Sequence, residues 1–148
     1  MNKYRQLFLV LIMILTVTLS NASVQEPSPE TFDHDHILNQ VIQPYLESLK
    51  RGNITVIRQL ISGNIYKRYR VLLEENRSYS NFLKKYYRHA DFSVRSIQEE
   101  NGWVSVEVDI RLPNREPYTI GLRIENLCED ALRCAPRWKI VDEMTISN

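Results

Sequence analysis

Four potential metal ligands stand in a row at Asp33-His34-Asp35-His36, and one acid, Asp142, shares strand parity with Trp138 and Ile140 near the end of the chain. These are the residues from which a metal site or acid–base chemistry would be built. Neighbouring side chains diverge, however, and no acid or His cluster elsewhere completes a metal shell. The run therefore reads as a solvated helix start with Asp33 or Asp35 as N-cap. No Ser-His-Asp order, phosphate loop or metal motif appears, so no metal and no cofactor is expected. His89 closes a helical stretch, where a C-terminal cap accounts for it. Asp142 is the one carboxylate that could face the interior; it is the single catalytic candidate, and a structural role is the reading favoured for it. An acid held in a dry pocket gains the shifted pKa that general acid–base work needs.

Phenols are the second group. Tyr45 and Tyr69 fall on inward helical stripes and Tyr118 on an inward sheet face. With Trp138 they are the candidates for lining a pocket, each phenol offering an apolar body and a polar tip. Core aromatics whose hydroxyls reach the surface are the competing interpretation. The third group is Cys128 and Cys134, an even pair that reads as a disulfide in an exported chain. It would close a short loop and stabilise by ~2–3 kcal/mol on the chain-entropy model.

The elements that must position these groups begin with the clearest strand, Trp103 to Leu112. Val104, Val106, Val108, Ile110 and Leu112 share one face, and Trp103, Ser105, Glu107, Asp109 and Arg111 the other. That period of two marks a half-buried strand. Its outer row, with Trp103 as the apolar anchor and Glu107, Asp109 and Arg111 beside it, is the candidate contact surface. Neighbouring strands are expected over Asp91–Gln98, in imperfect alternation, Tyr118–Glu125 and Arg137–Glu143. Asn101-Gly102 fits a hairpin turn. Four helices precede them: His36–Lys50, Ile54–Ile61, Ile65–Glu75 and Tyr79–His89. Pro44 inside the first predicts a kink or break near Gln40–Gln43. Gly52 supplies its left-handed cap and Asn53 caps the next helix. Helices followed by an antiparallel meander make an α+β layer fold.

The N-terminus has a different character. Lys3 and Arg5 precede an apolar run from Leu7 to Leu19, and Ser20-Asn21-Ala22 offers small residues for cleavage. This is the layout of a secretory signal at 1–22, followed by a Pro-containing linker to Asp35. The alternative is an uncleaved anchoring helix. Cleavage after Ala22 moves the formal balance from 19 bases against 18 acids to 17 against 18. A near-neutral chain argues against nucleic acid as partner. Residues 144–148 are expected to form a tail beyond the domain, which spans 36–143.

Two segments resemble a known family. Tyr45-Leu46-Glu47-Ser48-Leu49-Lys50-Arg51-Gly52-Asn53 is similar to the opening helix of nuclear transport factor 2-like (SnoaL-like, cystatin-like) domains, and Arg137-Trp138-Lys139-Ile140-Val141-Asp142-Glu143 to their last strand. The resemblance implies a cone, a curved antiparallel sheet of about four strands wrapping the first helix, often with a pocket and sometimes a homodimer through the sheet. It departs from the family's pattern at Pro44 and at the cysteine-bearing loop. Some members are cyclases or isomerases with an acid in the cone. The apolar faces of the Trp103 and Tyr118 strands carry neither carboxylate nor His, so the expected function is an exported, non-enzymatic binding module for a small apolar ligand or a protein. The alternatives are a small-molecule enzyme of the cyclase or isomerase type, and a membrane-tethered assembly factor resembling periplasmic scaffolds of type IV secretion systems.

Overall fold

A computed structural model describes residues 33–128, 135 and 137–146. The signal segment at 1–22, most of the linker, Cys134 and the end of the tail lie outside the described residues. The described chain is α+β, with helices first and a four-stranded antiparallel sheet after them.

The first helical stretch enters through α1 (His34–Ile37), whose N-cap is Asp33: its side chain accepts a hydrogen bond from the His36 backbone N–H at 3.0 Å. A π-helical turn, Leu38–Ile42, leads into α2 (Gln43–Arg51). Pro44 explains the turn. It has no N–H to give to the carbonyl four residues back, and its ring crowds that carbonyl, so the backbone widens just upstream instead of breaking. The apolar stripe stays in phase, and Val41, Ile42, Tyr45, Leu46 and Leu49 are all buried. Gly52, left-handed at φ 63, ends α2, and Asn53 caps α3 (Ile54–Leu60) by accepting from the Val56 N–H. Then come α4 (Gly63–Glu74) and α5 (Tyr79–Tyr87).

The sheet is a meander in the order β1 (Asp91–Glu100), β2 (Trp103–Arg111), β3 (Tyr118–Asn126) and β4 (Trp138–Ile146). Asn101 and Gly102 both have positive φ, as a primed hairpin turn requires. On the inner face Val104 opposes Ile124, Val106 opposes Leu122 and Val108 opposes Ile120. These side chains are buried against the helices.

Two bulges bend the strands and reset their parity. In β1 the register slips between Val94 and Ser96, which leaves Arg95 as the extra residue. Phe92, Val94 and Ile97 thereby all face inward, and the imperfect alternation in the sequence is accounted for. In β4 the slip leaves Val141 as the extra residue between Ile140, opposite Ile124, and Asp142, opposite Arg123. The strand then runs on to Ile146, so residues 144–146, expected as a tail, pair with β3 through Gly121, Ile120 and Thr119.

Candidate functional site: a tyrosine-lined cavity around Glu143

The β4 bulge decides which acid faces the interior. Without it, Asp142 would share a face with Ile140, as the sequence leads one to expect. With Val141 inserted, Asp142 turns to the outer face opposite Arg123, and Glu143 comes into line with Leu122 on the inner one. Asp142 instead clamps α4. Its carboxylate accepts from the Arg68 guanidinium at 2.8 Å, from the Asn64 amide at 3.4 Å and from the Glu143 backbone N–H at 2.9 Å. Burial pushes its carboxyl upward, but those three donors and the Arg68 charge outweigh it and hold the group below the usual carboxylate range. Arg68 also donates to the Glu143 backbone carbonyl at 2.8 Å. Asp142 is thus a positioning residue for β4 and α4 in this structure, not an acid inside a pocket.

Glu143 reaches the acidic end of a cavity of about 100 Å³. Two phenols meet its carboxylate. Tyr45 on α2 donates to Oε2 at 3.1 Å, and Tyr69 on α4 donates to Oε1 at 3.2 Å. Each carboxylate oxygen therefore already accepts one hydrogen bond from the protein. Tyr79 and Tyr87 on α5 and Tyr118 on β3 complete the phenolic part of the lining, and Leu49, Ile57, Leu83 and Ile110 lie among its apolar part. Within the lining Tyr45 is only 3 % exposed, whereas Thr145, near the end of β4, is exposed.

Burial and the Glu143 charge act together on these phenols. Burial raises the Tyr45 hydroxyl well above its ordinary value, and the adjacent carboxylate adds to the rise. The same two causes push Tyr69 up to about 12 and raise Tyr79. Burial is also the largest cause of the rise at Tyr87 and Tyr118. Every phenol is consequently a neutral donor at neutral pH. Among the described residues Glu143 is the one acid of the lining, and no Lys, Arg or His belongs to it.

The structure brings together Tyr45, Tyr69 and Tyr118 of the expected pocket residues, and adds Tyr79, Tyr87 and Glu143. Trp138 stands outside the lining, packed against the core at the start of β4. The outer row of β2 is largely occupied within the sheet. The Arg123 guanidinium lies over the Trp103 ring at 4.6 Å, and Asp109 accepts from Thr119 at 2.7 Å and pairs with Arg95 at 3.0 Å. Glu107 faces Gly121 across the ladder, and Arg111 is exposed at the strand end. Among the described residues no group of three or more His, Cys, Asp or Glu side chains is arranged to hold a metal ion.

Cys128 is buried, next to a loop base that Asn126 ties together. The Asn126 side-chain oxygen accepts from the Cys128 N–H at 3.0 Å and from the Arg137 N–H at 2.9 Å. No family model, curated protein or solved structure matches the chain.

Proposed function

We propose that this chain is an exported small-molecule-binding domain whose site is the tyrosine-lined cavity around Glu143. One observation carries the reading: a carboxylate and five neutral phenols, contributed by α2, α4, α5, β3 and β4, converge on one partly open cavity. Cores are normally filled to near crystal density by apolar side chains. A lining of convergent polar tips on apolar walls is the usual make-up of a ligand site. Both oxygens of Glu143 are held by phenols, which suits a fixed anion better than a group free to take a proton from substrate. Binding without turnover is therefore favoured over an isomerase or cyclase. The helices-then-meander order and the curved sheet support kinship with nuclear transport factor 2-like domains. A set of homologues in which the family-like residues of Tyr45–Asn53 and Arg137–Glu143 are not retained would sink that kinship.

The binding reading is tested by nuclear magnetic resonance with a panel of very small neutral, anionic and cationic fragments. At least one fragment is expected to shift resonances of Tyr45, Tyr69 and Leu83 together. If no fragment shifts cavity residues, or if shifts gather on the outer row of Trp103, Glu107 and Asp109 instead, the cavity is not the site.

Export is part of the proposal and rests on the layout of residues 1–22. A Cys128–Cys134 disulfide is supported by the even pairing, by the burial of Cys128 and by the lack of any free cysteine among the described residues. Protein recovered from the exported fraction is expected to start at Ser23 and to resist thiol alkylation until reduced. An intact N-terminus in the membrane fraction would favour the anchored form, and two thiols alkylated without reduction would remove the disulfide.

A further inference from the structure

We infer that the ligand taken by this cavity is a small alkylammonium ion, seated between the Glu143 carboxylate and the tyrosine walls. The inference rests on the binding function proposed above and names its ligand class. It starts from an imbalance of charge. The cavity holds one carboxylate, and among the described residues no cationic side chain forms an ion pair with it. The nearby cation, Arg68, is spent on Asp142 and on the Glu143 backbone carbonyl. Its field reaches the Tyr69 hydroxyl only as a minor influence, smaller than that of Glu143.

A charge partly removed from water calls for a counter-charge or strong hydrogen bonds. Two phenols at 3.1 and 3.2 Å supply hydrogen bonds but no counter-charge. The rest of the lining is Tyr79, Tyr87 and Tyr118 among aliphatic side chains such as Leu49, Ile57 and Leu83. Aromatic faces attract cations, and an acid set among such rings is the usual chemistry for holding an alkylammonium group. An anionic ligand would meet Glu143 directly and find no positive partner in the lining. A neutral apolar ligand would leave the carboxylate facing hydrocarbon.

Size narrows the class further. Drug-sized ligands occupy pockets of roughly 300–1,000 Å³. This one measures about 100 Å³, so it suits a head group of a few heavy atoms. Thr145 is the exposed member of the lining, and a longer substituent would leave the cavity past it.

The experiment compares tetramethylammonium with tert-butanol, a neutral molecule of the same tetrahedral shape, at constant ionic strength, following the cavity resonances. Tetramethylammonium is expected to bind at least about tenfold more tightly. In Glu143→Gln that preference should fall to about unity, the amide keeping the shape and removing the charge. Thr145→Lys, at the exposed lining position two residues from Glu143 on the same strand face, should likewise weaken tetramethylammonium more than tert-butanol. Equal binding of the two probes in the unmodified protein would overturn the cation inference and leave the binding site standing. A cation preference that survives both substitutions would also overturn it, since Glu143 would not be its source. Absence of any cavity shift with these probes and with every fragment of the panel would remove the site itself.

Discussion

Val106→Asp is expected to leave this protein without a cooperative fold. Val106 is 0 % exposed, sits mid-way along β2, and faces Ile97 on one side and Leu122 on the other. An acid there meets no donor, since the inner faces of β1, β2 and β3 offer only apolar side chains around it. Kept ionised, it is a buried charge without a partner; protonated, it is a buried polar group without a partner. Either state costs several kcal/mol, to which the lost Val packing adds about 1–3 kcal/mol. Against a typical total of roughly 5–15 kcal/mol, that removes most or all of the stability. The neighbouring Ser105→Asp supplies the contrast. Ser105 lies on the outer face opposite Arg123, so its acid gains a basic neighbour and should change stability by less than about 0.5 kcal/mol. Urea titration by circular dichroism separates the two. A cooperative transition for Val106→Asp within about 1 kcal/mol of the parent would mean that β2 is not the centre of the core.

The asymmetry between those neighbours was readable from the alternation of Val104–Leu112, because a period of two with one apolar face leaves a single way to lay the strand down. The first helix was readable for a similar reason: its stripe of Val41, Tyr45 and Leu49 survives the Pro44 perturbation, and only the form of that perturbation, a π-turn, needed the structure. The acid in the cavity was not readable. Parity carries along a strand only as far as the next bulge. In β1, Ile97 stands as an apolar marker beyond Arg95 and betrays the slip. In β4 the inward residues beyond Val141 are Glu143 and Thr145, both polar, so nothing in the residue types signals the change of face. The convergence of five tyrosines was legible only in part. Tyr45, Tyr69 and Tyr118 each sit on an apolar stripe, but that Tyr79 and Tyr87 join them depends on how α5 docks on α2, which no local pattern encodes.

That docking point carries the second large effect. Gly52→Ala is expected to cost about 3 kcal/mol or more and to lower the melting temperature by roughly 10–15 °C. Two causes add. Gly52 has φ 63, a conformation that costs an L-residue ~1–2 kcal/mol. A Cβ built at this position would also stand 2.1 Å from the backbone carbonyl oxygen of Ser80, far inside any real contact. The chain cannot simply swing away. The Ser80 hydroxyl donates to the Gly52 carbonyl at 2.6 Å, and the Asn53 N–H is bonded to the Ser48 carbonyl at 2.8 Å. Gly102→Ala isolates the first cause, because Gly102 also has positive φ yet nothing lies within 4 Å of the added carbon. It should cost only about 1–2 kcal/mol. If thermal unfolding shows the two substitutions to be equally damaging, the close approach of α2 and α5 at Ser80 yields easily, and the steric half of the argument fails. If Gly52→Ala is the worse by the expected margin, the relief must come from moving α5. Tyr79, Leu83 and Tyr87 ride on that helix, whereas Tyr45 stays on α2. The cavity would then open on one side. A folded Gly52→Ala protein should consequently lose cavity-directed fragment binding even at temperatures well below its own transition, with Glu143 and Tyr45 chemically untouched.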